Sequence, residues 1–345
     1  MSGDESERLR LSETRSDTVD PVLSAEDTAP QPVWRPLRPL LRTPMPSPLF
    51  PALAVALAGC ALSWSQGAIR VASDLLLFAV VALAAGGANV LAAVFVRTGS
   101  AQPSHIERLR FKGLSLPPIP WLASAGRAGI AGYTCIVLSL VLGLILALHS
   151  SLLMIPLGLA GLVGALTYRL PGYAWADQPW AEAVALLLMG PVIVLVADLA
   201  QTGSIQGLAL SLSIPLGLLA AATLFSVHFC LLDSELSTAA RALARYLGLR
   251  RSQLLLAAAI ALAYLWITVL GGHRGLHGLL LAWFSLPAAV VALSSAFCAA
   301  APRARSLIAR PVARLHLSFT LWLAAGLLLD GVVPWLIAHW PHVPL

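Results

Sequence analysis

Stretches of about 18 or more almost wholly apolar residues recur along this chain, each long enough to cross a hydrocarbon core of about 30 Å. Nine can be drawn, at roughly 49–66, 73–97, 127–148, 152–169, 180–199, 207–232, 253–271, 277–299 and 315–338. Inside a bilayer no water is present to satisfy backbone N–H and C=O groups, so runs of this length fold as helices. The expected fold class is therefore all-α: a polytopic membrane protein built as a bundle of nine transmembrane helices. Of 345 residues, 58% are hydrophobic and only 11% charged, with a mean hydropathy of +0.83, which excludes a soluble domain of this length.

Charge is distributed as unevenly as hydrophobicity. Eight of the 16 acidic residues fall in the first 27 positions. That segment is polar and aperiodic, so residues 1–31 are expected to form a disordered acidic tail. It has no apolar stretch of the kind a cleavable signal peptide requires. Residues 32–48 are a proline- and arginine-rich approach to the first span, and they open the nine-helix domain at 32–345. With the N-terminus inside, 20 of the 22 Lys and Arg residues lie before the first span or in the loops after the even-numbered spans; only Arg70 and Arg274 lie outside. This asymmetry predicts a cytoplasmic N-terminus in a bacterial inner membrane. The net charge of +6 then belongs to loops facing anionic lipid rather than to a nucleic-acid surface, so the bilayer is a partner and nucleic acid is not. Asp198 and Asp330, near the opposite face, read as helix-end acids reaching headgroups.

Cys60, Cys135, Cys230 and Cys298 each sit inside an apolar run without metal-ligand spacing, and are expected to be small core residues. Ligand chemistry is expected on the inner side, where the longer loops lie. Gly86-Gly87 and Gly190-Pro191 suggest close packing and a helix distortion.

At 168–191 the chain reads YRLPGYAWADQPWAEAVALLLMGP. This resembles the UbiA superfamily of membrane prenyltransferases, and within it the menaquinone-type, 1,4-dihydroxy-2-naphthoate prenyltransferase-like branch. The resemblance rests on Tyr168, Pro171, Glu182, Gly190 and Pro191. It extends to VADLAQTGS at 196–204, to AAGGANV at 84–90 just before the family's first aspartate motif, and to ARALARYLG at 240–248 at the end of its second. It implies a nine-helix fold with a central cavity open to the inner face, and transfer of a prenyl chain from an isoprenoid diphosphate to an aromatic or apolar acceptor. It also implies two aspartate-rich motifs holding Mg²⁺ on the diphosphate, since Mg²⁺ takes one or two carboxylates plus phosphate oxygens.

The departures fall on those motifs. After Asn89 the chain reads AAVFV at 92–96, with no carboxylate. In the second motif stand Leu231, Asp233 and Glu235, with His228 near the position of the family's Asn. Asp233 and Glu235 are the candidate catalytic residues and Mg²⁺ ligands, in shifted register; they also read as solvated acids at a helix end. Arg241 and Arg245 lie four residues apart on one helix face, suited to a diphosphate or lipid headgroup and equally to ordinary loop charge. Tyr168, Glu182, Asn89 and His228 complete the candidate substrate-binding set. Glu182 also suits the first turn of a helix, Tyr168 an interfacial position, and His228 a hydrogen-bonded packing role. Two readings stay open: a prenyltransferase using Mg²⁺, and a non-catalytic relative that binds or moves an isoprenoid lipid or scaffolds a membrane complex. An isoprenoid diphosphate or prenyl lipid is the partner under both.

Overall fold

The structure is a computed structural model, and it describes residues 49–97, 125–168, 175–229, 243–298 and 308–339. The acidic tail at 1–31, the approach at 32–48, and the candidate residues Asp233, Glu235 and Arg241 lie outside the described residues. The regular secondary structure among them is helical, with no strand. Nine helical segments follow one another: α1 Leu49–Ser65, α2 Val71–Arg97, α3 Ala125–His149, α4 Met154–Thr167, α5 Ala181–Thr202, α6 Gly207–Phe229, α7 Leu243–Arg274, α8 His277–Phe297 and α9 Ala309–His339. A short 3-10 turn, Trp175–Asp177, precedes α5, and the first nine residues of α8 are wound as 3-10 helix.

Seven of these segments are long and apolar enough to cross a membrane. The two others, α1 and α4, have 17 and 14 residues among those described. At 1.5 Å per residue a 14-residue helix reaches only about 21 Å, short of a hydrocarbon core of about 30 Å. The expected count of nine full spans is therefore not met by length, although the nine segments occupy the expected places. Two boundaries also move: α9 begins at Ala309 rather than near 315, and the start of α7 shifts further. Helix α7 begins at Leu243 rather than near 253, so Arg245, Arg250 and Arg251 are helical. It turns sharply at Gly248, whose φ of 71° and ψ of 175° suit a residue without Cβ.

Helices consecutive in sequence run antiparallel. On α2 and α3, Gly87 lies against Gly132 and Cys135, while Val80 takes the Ser139 hydroxyl at 3.0 Å on its carbonyl. On α5 and α6, Gly190 meets Ser213 and Gly217 so closely that a Cβ there would sit 2.5 Å from the Ser213 carbonyl oxygen. The same glycine lies in a single π-helical turn, Leu188–Val192, ahead of Pro191. Both parts of the expectation for this Gly-Pro pair are thus met: a helix distortion and a close backbone approach. Helix α9 packs on α1 as well as on α6 and α8, bringing the two ends of the helix series together. The shared core is apolar, with Phe229, Phe319, Leu212, Leu216 and Ile260 fully enclosed. Outward faces are equally apolar: Ile130, Val137, Leu144 and Leu148 on α3 are exposed, as a lipid-facing surface requires. The molecule is an integral membrane protein.

Buried polar groups lock the end of the bundle at which α1 stops and α2 starts. Trp64 Nε1 donates to Asp74 Oδ2 at 3.0 Å, and the Gln201 amide nitrogen donates to the other oxygen of that carboxylate. Asp198 is fully enclosed; it accepts from Ser63 Oγ at 3.1 Å and from the Gln206 N–H at 3.0 Å. Asp330 accepts the Gly278 N–H at 2.9 Å, tying α9 to the start of α8. Neither acid reaches for headgroups. Each is turned inward because a chain connection leaves a backbone N–H there to be satisfied. Cys60 is buried as expected, Cys135 is half-buried, and Cys298, past the end of α8, is exposed rather than in the core.

Candidate functional site

The opposite end of the bundle is basic. Arg97 closes α2, Arg127 lies in the first turn of α3, and Arg245, Arg310 and Arg314 lie near the starts of α7 and α9. Several of the residues nominated from sequence meet there. Tyr168 follows the last turn of α4, Glu182 opens α5, and His228 is the penultimate residue of α6.

His228 and Glu182 form the best-defined polar contact of this end. His228 Nδ1 lies 2.7 Å from Glu182 Oε1, and His228 Nε2 lies 2.7 Å from the Ala176 carbonyl oxygen. A carbonyl only accepts, so Nε2 carries a hydrogen. The other ring nitrogen then faces a carboxyl oxygen across a distance that also needs a proton, held either by the imidazole or by Glu182. His228 clamps the end of α6 to the Trp175–Asp177 turn and to α5. Both side chains are nearly enclosed, and Glu182 Oε2 is buried without a hydrogen-bond partner.

Tyr168 stands beside this clamp. Its ring packs edge-on against Trp175 at 4.8 Å between centroids, and Trp175 Nε1 donates to the Gly164 carbonyl at 2.9 Å. Together they form the rim of a cavity of about 510 Å³ enclosed by residues of α1 to α6 and α9, within the range of small-molecule sites, about 300–1,000 Å³. The walls run along the helices from Leu77 to Asn89 on α2 and from Met154 to Tyr168 on α4. That is roughly 20 Å at 1.5 Å per residue. Toward the far end the lining is leucine, valine and methionine. Toward the basic end it includes Asn89, Tyr168, Trp175, Thr223 and His316.

The structure thus gathers Asn89 and Tyr168 on one cavity, and places Glu182 and His228 behind its rim rather than on its wall. Arg245 is exposed on the first turns of α7, apart from the cavity lining. Among the described residues no three Asp, Glu, His or Cys side chains cluster as ligands for a metal ion, and the carboxylates nominated for Mg²⁺ lie outside them. His316 was missed by sequence reasoning. It sits in an apolar helix two residues after Arg314 and looked like one more loop-flanking residue. Its only sequence signal was an ionisable group inside a span.

These features define an α-helical membrane protein with a deep apolar cavity that turns polar at a basic end. No family model matches the chain. In sequence it is similar to the 1,4-dihydroxy-2-naphthoate octaprenyltransferase of Bacillus subtilis (strain 168), at 26% identity over 195 residues, which cover 56% of this chain and 62% of that protein. The matched region spans somewhat less than two thirds of that relative's length. In structure it is similar to the apo form of a UbiA homolog from Aeropyrum pernix K1, with a TM-score of 0.58 at 16% identity, over 82% of this chain and 97% of that chain. The two likenesses agree with the resemblance read from the motifs: the chain is similar in sequence to an octaprenyltransferase and has the fold of a UbiA homolog.

Proposed function

We propose that the cavity takes an isoprenoid chain, with its diphosphate at the basic end, and that the protein transfers the prenyl group to an aromatic or apolar acceptor. The observation that carries this reading is the cavity itself: about 510 Å³, apolar along its length, with Asn89 and Tyr168 at its basic end. A polyprenyl tail needs an apolar sleeve, and a diphosphate needs cations at one end of it. The bond from the prenyl C1 to the diphosphate oxygen breaks, and the diphosphate leaves with the electron pair. A ring carbon of the acceptor then bonds to C1 and loses its proton to the released diphosphate. The sequence relative's name makes a hydroxylated naphthoate the first acceptor to try.

Arg241 and Arg245 hold the diphosphate in this proposal, because a guanidinium pairs two phosphate oxygens without a metal. Mg²⁺ enters only through Asp233 and Glu235, and its chemistry when bound is to stabilise the leaving diphosphate. Tyr168 and Asn89 orient the reacting end, while the Glu182–His228 clamp keeps the α5 and α6 ends in place behind Tyr168. The basic end is the cytoplasmic one in this reading, following the charge asymmetry. The test is to incubate the purified protein in nanodiscs with farnesyl diphosphate and 1,4-dihydroxy-2-naphthoate, and to follow prenylated product and released diphosphate. Tight binding of farnesyl diphosphate without product would leave a lipid-binding protein and sink the transferase reading.

A further inference from the structure

Two side-chain polar atoms are buried without hydrogen-bond partners among the described residues, Glu182 Oε2 and His316 Nε2. Only His316 lies on the cavity wall. It is 1% exposed, on the second turn of α9. Three other polar side chains on the wall are already engaged. Ser139 Oγ donates to the Val80 carbonyl at 3.0 Å, Thr223 Oγ1 to the Leu219 carbonyl at 2.8 Å, and Trp175 Nε1 to the Gly164 carbonyl. A buried imidazole nitrogen left unpaired opposes folding, and most buried polar atoms in proteins find a partner. His316 is one of the residues lining the cavity, which makes a molecule held there the candidate for the missing partner.

The chemistry of that partner follows from the ring. An imidazole nitrogen donates in one tautomer and accepts in the other. A hydroxyl does both, and so fits either. The leucine, valine and alanine around His316 disfavour a charged group and accept a hydrocarbon body. We propose that His316 Nε2 is the hydrogen-bonding contact for a hydroxyl on the apolar ligand of this cavity, an alcohol or phenol carried on a hydrocarbon. This rests on the reading of the cavity as a ligand site, and adds a residue and a functional group to it.

The test uses matched pairs that differ in the hydroxyl alone: 1-naphthol against naphthalene for a phenol, and farnesol against farnesene for a prenyl alcohol. Binding to the protein in nanodiscs is measured against empty nanodiscs, with histidine ¹⁵N resonances recorded in parallel. In one pair or both, the hydroxylated member should bind roughly tenfold more tightly, the scale of one buried hydrogen bond, and should shift the His316 Nε2 resonance. Which pair responds identifies the source of the hydroxyl. His316→Leu should erase the preference and leave hydrocarbon binding intact. If the hydrocarbons bind but neither hydroxyl adds affinity, the His316 proposal fails and the cavity reading stands. If none of the four compounds binds, the cavity reading fails and takes this proposal with it. The comparison within the natural protein decides the matter even if the variant does not fold.

Discussion

His228 and Glu182, 46 positions apart in sequence, meet at 2.7 Å between Nδ1 and Oε1. The contact joins the last turn of α6 to the first turn of α5, and the Ala176 carbonyl on the far side of the imidazole extends the clamp to the turn that carries Trp175. The rim of the cavity is therefore held by a polar contact between helix ends, while the helices themselves are held by apolar packing and glycine approaches.

Removing one partner of a nearly enclosed, proton-sharing pair strands the other. Glu182→Leu and His228→Leu should each lower stability by about 3 kcal/mol, the scale for breaking a buried charged pair. The double variant should lose clearly less than the sum. Glu182→Gln should cost less than Glu182→Leu, because an amide N–H can donate to Nδ1. Thermal unfolding in one detergent compares all four; additive losses would show that the two side chains do not act together.

Glycine positions separate folding from binding. Gly158 lines the cavity, and a Cβ built on it meets nothing within 4 Å. Gly158→Phe should fill part of the cavity, leave thermal stability nearly unchanged, and weaken farnesyl diphosphate binding at least tenfold. Gly190→Ala instead drives a Cβ to 2.5 Å from the Ser213 carbonyl oxygen and should destabilise by about 1–3 kcal/mol, the cost of overpacking. Equal affinity in Gly158→Phe and the natural protein would place the ligand elsewhere.

If the guanidinium groups hold the diphosphate, its binding should survive chelation of divalent ions. Arg241→Ala or Arg245→Ala should weaken it roughly 10- to 150-fold, from about 1.5–3 kcal/mol per charge-assisted hydrogen bond. Asp233→Ala should do less. Calorimetric titration with farnesyl diphosphate, with and without EDTA, distinguishes the cases. Binding that vanishes with the chelator would assign the diphosphate to a metal held by Asp233 and Glu235.

The charge asymmetry predicts opposite sides for the two termini. A reporter fused after Leu345 should report the outer side, and one inserted in the loop at 300–314 the inner side. The same side for both would mean that α9, the segment between the two reporters, does not cross.

The sequence by itself determined the class of fold, because a bilayer leaves an apolar run of this length almost no conformation but a helix. It also determined where most of the helices lie to within a few residues, the start of α7 excepted, and the likeness to the UbiA superfamily, carried by the order of several weak motifs. Even the Gly190-Pro191 distortion was legible, since proline cannot donate the hydrogen bond that a regular helix needs. Only the tertiary structure decided which helix faces meet. In these spans nearly every position is apolar, so periodicity does not separate the face toward lipid from the face toward the cavity. For that reason Asp198 and Asp330, which read as surface acids, are turned inward onto backbone N–H groups. The pairing of Glu182 with His228 came from the antiparallel register of α5 and α6. His316 became a candidate only once α9 was seen to wall a cavity otherwise built by α1 to α6.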